Sequence, residues 1–501
     1  MRNGLTHGII MSSGRQEPQV KGPLLAHRAA SGAIWIALET ASTQLVSLLV
    51  FAIIAHFVTP HDFGLMSISY LAIYSLKPLI IDNVVVAVSR KKETSDLEYS
   101  TSFWLTLALA AIASLCVFVV AGLAENLMNA PGLEEVLRAM SVILLFMGLA
   151  RTHEMRLMRS FQFRSLALRS ILGTIVGGGI GIILAARGYG LKALVVQQIA
   201  TSGISLALLW SFSSWSPSFR VSKEASRETL IFMRSITPLS VSYVVSQSCD
   251  TFLVGYFFGP ASVGLYAIAK RLRLALQSVA ASPINGVLFS TLAEVQDDRE
   301  RLKYVSQRLI ALISLICAPI FAGSSSIAPE AISVGFGDQW TAAGPIFAVL
   351  TLGGFFAALQ SFTDTVFVIK NRQSWSFHLL LIQTALAVLF FFPSKSLGPE
   401  YMAVPFVAPY AITLPLSAIL FSRLTGFSLY QWLVAVTPSL ASAGLMFAAV
   451  KLLGYSIHFS TNLWHLAVCA IVGAFAYLVA ILILDRNTVT FAFHTLWKLV
   501  R

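Results

Sequence analysis

Glu39, Lys77, Asp82, Asp250, Lys270, Arg271 and Arg273 each interrupt a long apolar run of this 501-residue chain. A charge near the middle of a hydrocarbon layer costs about 2.5–3.5 kcal/mol, so seven facing lipid would cost on the order of 20 kcal/mol. They must line an interior. Arginine presents a planar fork of donors that grips a phosphate through two parallel bonds, so the cluster Lys270, Arg271 and Arg273 suits an anionic group of that kind. Carboxylates that change protonation state in the same space, Glu39, Asp82 and Asp250, could couple movement to H+ or Na+. The bland alternative is fixed ion pairing, Asp250 with Lys270 and Glu39 with Lys77, which locks helices and touches no ligand. Lys270, Arg273 and Gln277 share one helical face, whereas Arg271 points about 100° away.

The elements that hold these charges follow from composition. Hydrophobic residues make up 56% of the chain and charged ones 12%, with a mean hydropathy of +0.77; soluble domains carry about a quarter charged residues. The chain reads as an all-α polytopic membrane protein. Fourteen apolar runs long enough to span a bilayer are expected at 33–58, 62–88, 100–123, 136–152, 167–186, 190–212, 236–258, 262–291, 306–328, 341–369, 376–394, 402–422, 432–453 and 463–484. Of the 35 Lys and Arg, 26 fall in the breaks on one side, five in those on the other and four within spans. That asymmetry marks the first side as cytoplasmic, with both termini there. The net charge of +12 is thereby topology, and no nucleic-acid partner is expected.

Cys116, Cys249, Cys317 and Cys469 sit alone in separate runs, so neither a disulfide framework nor a metal site is expected. No catalytic residue or cofactor is expected either. The first 32 residues are polar, lack the pattern of a signal peptide and read as a disordered cytoplasmic tail, with Met11 a second candidate start.

The stretch FVTPHDFGLMSI at 57–68 returns as FFGPASVGLYAI at 257–268. Pro60 and Gly64 meet Pro260 and Gly264 at a constant offset, each pair in a tight turn between two spans. Six spans separate the copies, and an even number makes the halves parallel repeats about an axis along the membrane normal. A chance match of a common hairpin turn is the alternative. The expected division is a tail (1–32), a six-helix bundle (33–212), a linker (213–235), a second six-helix bundle (236–422), two further helices (423–484) and a tail (485–501). Counting 1.5 Å per residue from the turns puts Asp250 and Lys270 both about 15 Å deep on neighbouring helices. Glu39, Lys77 and Asp82 lie about 25–33 Å from the turn.

Weaker signals remain. RTHEMRLMRSFQFRSLALRS at 151–170 interleaves five arginines with Met, Phe and Leu and could attract anionic lipid heads, although topology alone accounts for basic residues there. The glycines of GTIVGGGIGII follow no strand, so close helix contact explains them better than a nucleotide loop. Asp364 reads as interfacial, and His153 beside Glu154 forms no trusted ligand pair.

The chain resembles the Wzx-type polysaccharide transporters, within the superfamily that also holds multidrug and toxic-compound extruders and peptidoglycan-precursor flippases. FVTPHDFGLMSI, DTFLVGYFFGPASVGLYAIAKRL (250–272), QFRSLALRSILG (162–173) and ARGYGLKALVVQQIA (186–200) carry the likeness. The last two are most similar to the colanic-acid and succinoglycan exporter branch. The resemblance implies a fourteen-helix, two-bundle carrier that flips a polyprenyl-diphosphate-linked oligosaccharide across a bacterial inner membrane by alternating access, with basic residues receiving the diphosphate. Contacts with membrane lipids, a polysaccharide polymerase and a chain-length regulator go with that reading. No family motif transfers onto Lys77, Lys270, Arg271 or Arg273, whose assignment rests on depth. A cation-coupled multidrug extruder of the same fold is the runner-up. A membrane-embedded enzyme fits less well, because the breaks between spans are short.

Overall fold

In hydrocarbon every backbone N–H and C=O must find its partner within the protein, and helices do this within one segment. The computed structural model of this chain is correspondingly helical, with no strand among the residues it describes: 22–91, 93–280, 291–292, 294–456, 462–486 and 488–490. The chain is a multi-pass membrane protein.

The first half contains α1 (Gly22–Ala55), α2 (Pro60–Leu76), a π-helical turn at Lys77–Asp82, α3 (Asn83–Ser89), α4 (Asp96–Met128), α5 (Leu133–Met140), α6 (Val142–Arg159), α7 (Phe163–Ala186) and α8 (Leu191–Phe212). α9 (Lys223–Ala280) turns at Gly259, where φ is 78°, and makes two crossings. Then follow α10 (Arg299–Ser326), α11 (Ala328–Phe336), α12 (Ala343–Ile369), α13 (Gln373–Ser394), α14 (Val404–Val407), α15 (Tyr410–Thr425), α16 (Leu429–Ser456) and α17 (Asn462–Leu484). Twelve helices, α9 counted once, are long and apolar enough to span a membrane. The second limb of α9 and the α5–α6 pair complete fourteen crossings among the described residues.

Three boundaries differ from the sequence reading. α1 begins at Gly22, within the expected tail, because Pro23 is tolerated in a first helical turn and no breaker follows it. The expected linker is extended only over 213–222 and then becomes the start of α9. The fourth span is broken at Ser141, where α5 gives way to α6. Residues 1–21, most of the last seventeen, and the end of the eighth expected span lie outside the described residues.

α1, α7 and α8 pack together, as do α4, α5 and α6, while α9 lies against α12 and α13, and α10 against α12 and α16. The two halves meet where α2 lies along α9. Thr59 caps α2: its hydroxyl accepts the Asp62 N–H (3.2 Å) and the Asp62 carboxylate accepts the Thr59 N–H (3.4 Å). Such a cap contributes about 1 kcal/mol.

The repeated turns touch each other. A Cβ on Gly64 would lie 1.7 Å from the Pro260 carbonyl oxygen, and a Cβ on Gly264 would lie 2.0 Å from that of Pro60. Only glycine lets the two helices cross this closely, and the contact is reciprocal because the two copies are related by the repeat axis. Around this turn end one apolar core joins both halves. Phe63 meets Trp340 edge-on at 5.9 Å, Phe51 lies 5.4 Å from Phe336, and the Trp340 indole donates to the Ala55 carbonyl (2.9 Å). Most of the glycine run of α7 packs on helix neighbours, Gly173 and Gly177 on Thr201 and Ser205, Gly181 on Gln197, and Gly178 on Val50, while Gly179 faces open space.

The opposite, basic end is tied by polar contacts. The Ser240 hydroxyl donates to the Asn83 amide oxygen (3.2 Å), and Ser75 and Ser248 share a hydrogen bond (3.3 Å). Outside the spans, Lys91 bridges Glu228 and Glu98, each at 2.7 Å. Those two carboxylates, Glu228 foremost, raise the Lys91 ammonium above its ordinary range.

Candidate functional site

Beneath the closed turn end lies a cavity of about 590 Å³ between the halves. α1 supplies Ser47, Phe51 and Ile54, α2 supplies Phe63, Tyr70 and Tyr74, α8 supplies Gln197 and Gln198, and the second limb of α9 supplies Lys270 and Arg271. Among the described residues no carboxylate lines it. Arg271 donates from Nη2 to the Ser47 hydroxyl and carbonyl, and its guanidinium lies 4.6 Å from the Phe51 ring centre. Among the described residues no carboxylate pairs with it. This wall therefore carries a cation whose charge is held by neutral neighbours, an arrangement that favours an incoming anion.

Most of the remaining wall is apolar, and its polar part comes from α2 and α8. Tyr70 and Tyr74, four residues apart and so on one face, stack at 4.9 Å. Gln198 ties them, its amide donating to the Tyr74 hydroxyl (2.7 Å) while its carbonyl accepts from Tyr70. Sequence reading passed over these three. Their signal was present, since polar side chains within a span mark an interior face.

Lys270 also faces a second, smaller cavity of about 160 Å³ within the second half, lined by Asp250, Tyr266, Arg273, Gln383 and Tyr410. Its Nζ lies 2.6 Å from Asp250 Oδ2, which also accepts from the Tyr266 hydroxyl (2.9 Å). The Thr251 N–H donates to Oδ1 (2.6 Å). Arg273 opens on this second cavity and donates to Gln277 (3.0 Å). One cavity for all the basic residues is thus not what the structure builds. The 100° between Arg271 and Arg273 sends them into different spaces, and Lys270 reaches both.

The remaining charges separate. Glu39 accepts a hydrogen bond from Ser170 (2.6 Å) and does not pair with Lys77. Lys77, in the π-helical turn, has no ion pair or hydrogen bond among the described residues and lines neither cavity. Similar depth along a helix leaves the direction around it undetermined, and the π turn shifts that direction further. Asp82 meets Arg151 at 2.8 Å; Arg151 also reaches Glu154 (2.8 Å), and Arg169 closes the chain on Glu154 (2.7 Å). Sequence reading missed this network because its arginines sit among those that topology explains. Asp364, read as interfacial, has its Oδ1 enclosed without a hydrogen-bond partner among the described residues.

Arg151 is the hub of the network, and Arg151→Ala strands the Asp82 carboxylate while Glu154 keeps Arg169. Loss of one partner from a buried pair costs roughly 3–5 kcal/mol, and the part-exposed Arg151–Asp82 pair should lie toward the lower end of that range. Thermal unfolding of the detergent-purified variant is expected to show a large drop in midpoint, partly restored by adding Asp82→Asn.

Two like-oriented helical bundles that close at one end over a hollow lined by α1, α2, α8 and α9 define the fold. The structure superposes on one titled lipid II flippase MurJ, inward closed conformation, with a TM-score of 0.74 at 16% identity, covering 91% of this chain and all of that one. Residues 53–345 match the family described as polysaccharide biosynthesis protein, and the chain belongs to that family. Among relatives, the succinoglycan biosynthesis transport protein ExoT of Rhizobium meliloti is 26% identical over 320 residues, covering 64% of each chain. The lipopolysaccharide biosynthesis protein WzxC of Escherichia coli is 21% identical over 378 residues, covering 75% of this chain and 76% of its own.

Proposed function

We propose that this protein is a flippase that moves polyprenyl-diphosphate-linked oligosaccharide repeat units across a bacterial inner membrane for surface or secreted polysaccharide, by alternating access. The observation that carries the reading is the cavity between the bundles with the Arg271 guanidinium in its wall and no carboxylate beside it among the described residues. A volume of about 590 Å³ lies within the range of ligand pockets, about 300–1,000 Å³. Tyr70, Tyr74 and Gln198 supply the stacking faces and hydrogen bonds that a sugar needs. Family membership and the printed names of ExoT and WzxC support the same substrate class.

In this reading the basic end is cytoplasmic, by the distribution of Lys and Arg, and the turn end faces outward. Arg271 receives the diphosphate, with Lys270 next to it. Asp250, held by Lys270, is the place assigned to coupling by H+ or Na+. Contacts with a polymerase and a chain-length regulator belong to the same proposal.

The test is reconstitution in liposomes with a polyprenyl-diphosphate oligosaccharide, measuring its arrival in the far leaflet. Transfer dependent on the protein supports the reading. Extrusion of cationic drugs from a sensitive host, without transfer of the lipid-linked sugar, replaces it with the multidrug alternative.

A further inference from the structure

A third hollow, at the basic end of the first half, plays no part in the proposed transport path. It measures about 360 Å³ and lies between the start of α4, the end of α6 and the extended segment that follows α8. Arg156 and Arg159 line it, with Tyr99 and Trp215 as aromatic walls and Gln162 and Ser214 at its edge. Among the described residues no acidic one lines it.

The two arginines differ in how much of them is spent. Arg159 is anchored, donating to Thr94 (2.6 Å), the Tyr99 hydroxyl (3.1 Å), the Ser89 carbonyl (3.1 Å) and the Lys91 carbonyl. Arg156 packs instead against two rings that meet at an angle, with its guanidinium carbon 4.7 Å from the Tyr99 ring centre and 4.9 Å from that of Trp215. Its one ionic partner is Asp96 (2.6 Å), whose side chain is 80% exposed. Among the described residues, Arg156 Nε and Nη2, the Ser214 hydroxyl and the Gln162 side-chain amide have no hydrogen-bond partner. Aromatic clamping fixes the guanidinium while leaving donors unspent, which is preorganisation for an anion.

The surroundings favour lipid over water. Met158, Phe161, Trp210 and Phe219 are exposed at this end, and aromatic side chains of that kind concentrate at the headgroup level of a bilayer. We infer that this pocket binds a phosphate-bearing group, the headgroup of an anionic phospholipid, with Arg156 as its principal contact. Occupancy would also fasten the segment at 213–222, which is laid along α4 by hydrogen bonds of Ser218 to Ser100 (3.0 Å) and Ser222 to Thr101 (3.0 Å) and which joins the two bundles.

The experiment is binding of dioctanoyl-phosphatidylglycerol and dioctanoyl-phosphatidylcholine to the full-length protein in detergent. The anionic lipid should bind about tenfold more tightly, and Arg156→Gln should remove about that factor. Asp96→Asn, which frees Arg156 from its competitor without touching the pocket, should tighten binding several-fold and so gives the opposite sign in a folded protein. Displacement of the lipid by millimolar inorganic phosphate assigns the site to a soluble phosphate compound, and failure to displace it assigns the site to the lipid. Equal affinity for the two lipids overturns the proposal, as does an unchanged affinity in Arg156→Gln whose unfolding midpoint matches the parent.

Discussion

Replacing Arg271 by Gln is expected to abolish most transfer of a lipid-linked oligosaccharide while leaving the protein inserted and folded. Each charge-assisted hydrogen bond to a phosphate oxygen is worth about 1.5–3 kcal/mol. Losing a two-bond grip corresponds to a rate reduction of about 10²- to 10⁴-fold. Arg271→Lys retains the charge but not the fork, and should fall between, near a tenfold loss. Folding should not suffer, because the guanidinium sits over Phe51 with no carboxylate to strand, and a neutral amide there is easier to bury. An unfolding midpoint at or above that of the parent, together with the transport loss, is the expected pair of results. Unaltered transfer in Arg271→Gln would remove the cavity assignment.

The second large effect is expected at the reciprocal crossing. Gly64→Ala and Gly264→Ala each set a methyl against a backbone carbonyl, 1.7 and 2.0 Å away. A carbon and a carbonyl oxygen approach to about 3.3 Å at closest, so the helices must part by roughly 1.5 Å. A backbone atom cannot rotate aside as a side chain does. Overpacking of this kind costs about 1–3 kcal/mol, which shifts a closed-to-open ratio about 5- to 150-fold. The double variant should stay open at the turn end and lose transport. Spin labels at His61→Cys and Ala261→Cys, both exposed positions on the crossing helices, should report a longer separation than in the parent. An unchanged distance would mean that the crossing does not hold that end shut.

The fold was legible because hydropathy and the Lys and Arg asymmetry act on every span alike, whatever the tertiary contacts. The Asp250–Lys270 contact was legible for a narrower reason: both residues sit ten positions from one turn, on helices that the turn makes neighbours. Glu39 and Lys77 gave no such help. Their depths were comparable, but Glu39 faces Ser170 on α7, and depth says nothing about direction around an axis. The repeated turn announced two copies at like heights, yet not that Gly64 and Gly264 touch the opposite prolines, because contact depends on how the halves are docked. Arg151 and Arg169 were hidden by a second explanation sufficient for any arginine at that end. Tyr70, Tyr74 and Gln198 were readable as polar residues in apolar runs and were passed over for carrying no charge.

Lys270 stands in the partition between the two hollows and lines both, with its ammonium on Asp250. An anion entering on one side competes with Asp250 for that ammonium, and a cation settling against Asp250 releases it to the anion. Each guest thereby alters the affinity for the other by the same factor, as thermodynamic linkage requires. In the proposed coupling, a side chain of four methylenes is the link between cargo and driving ion.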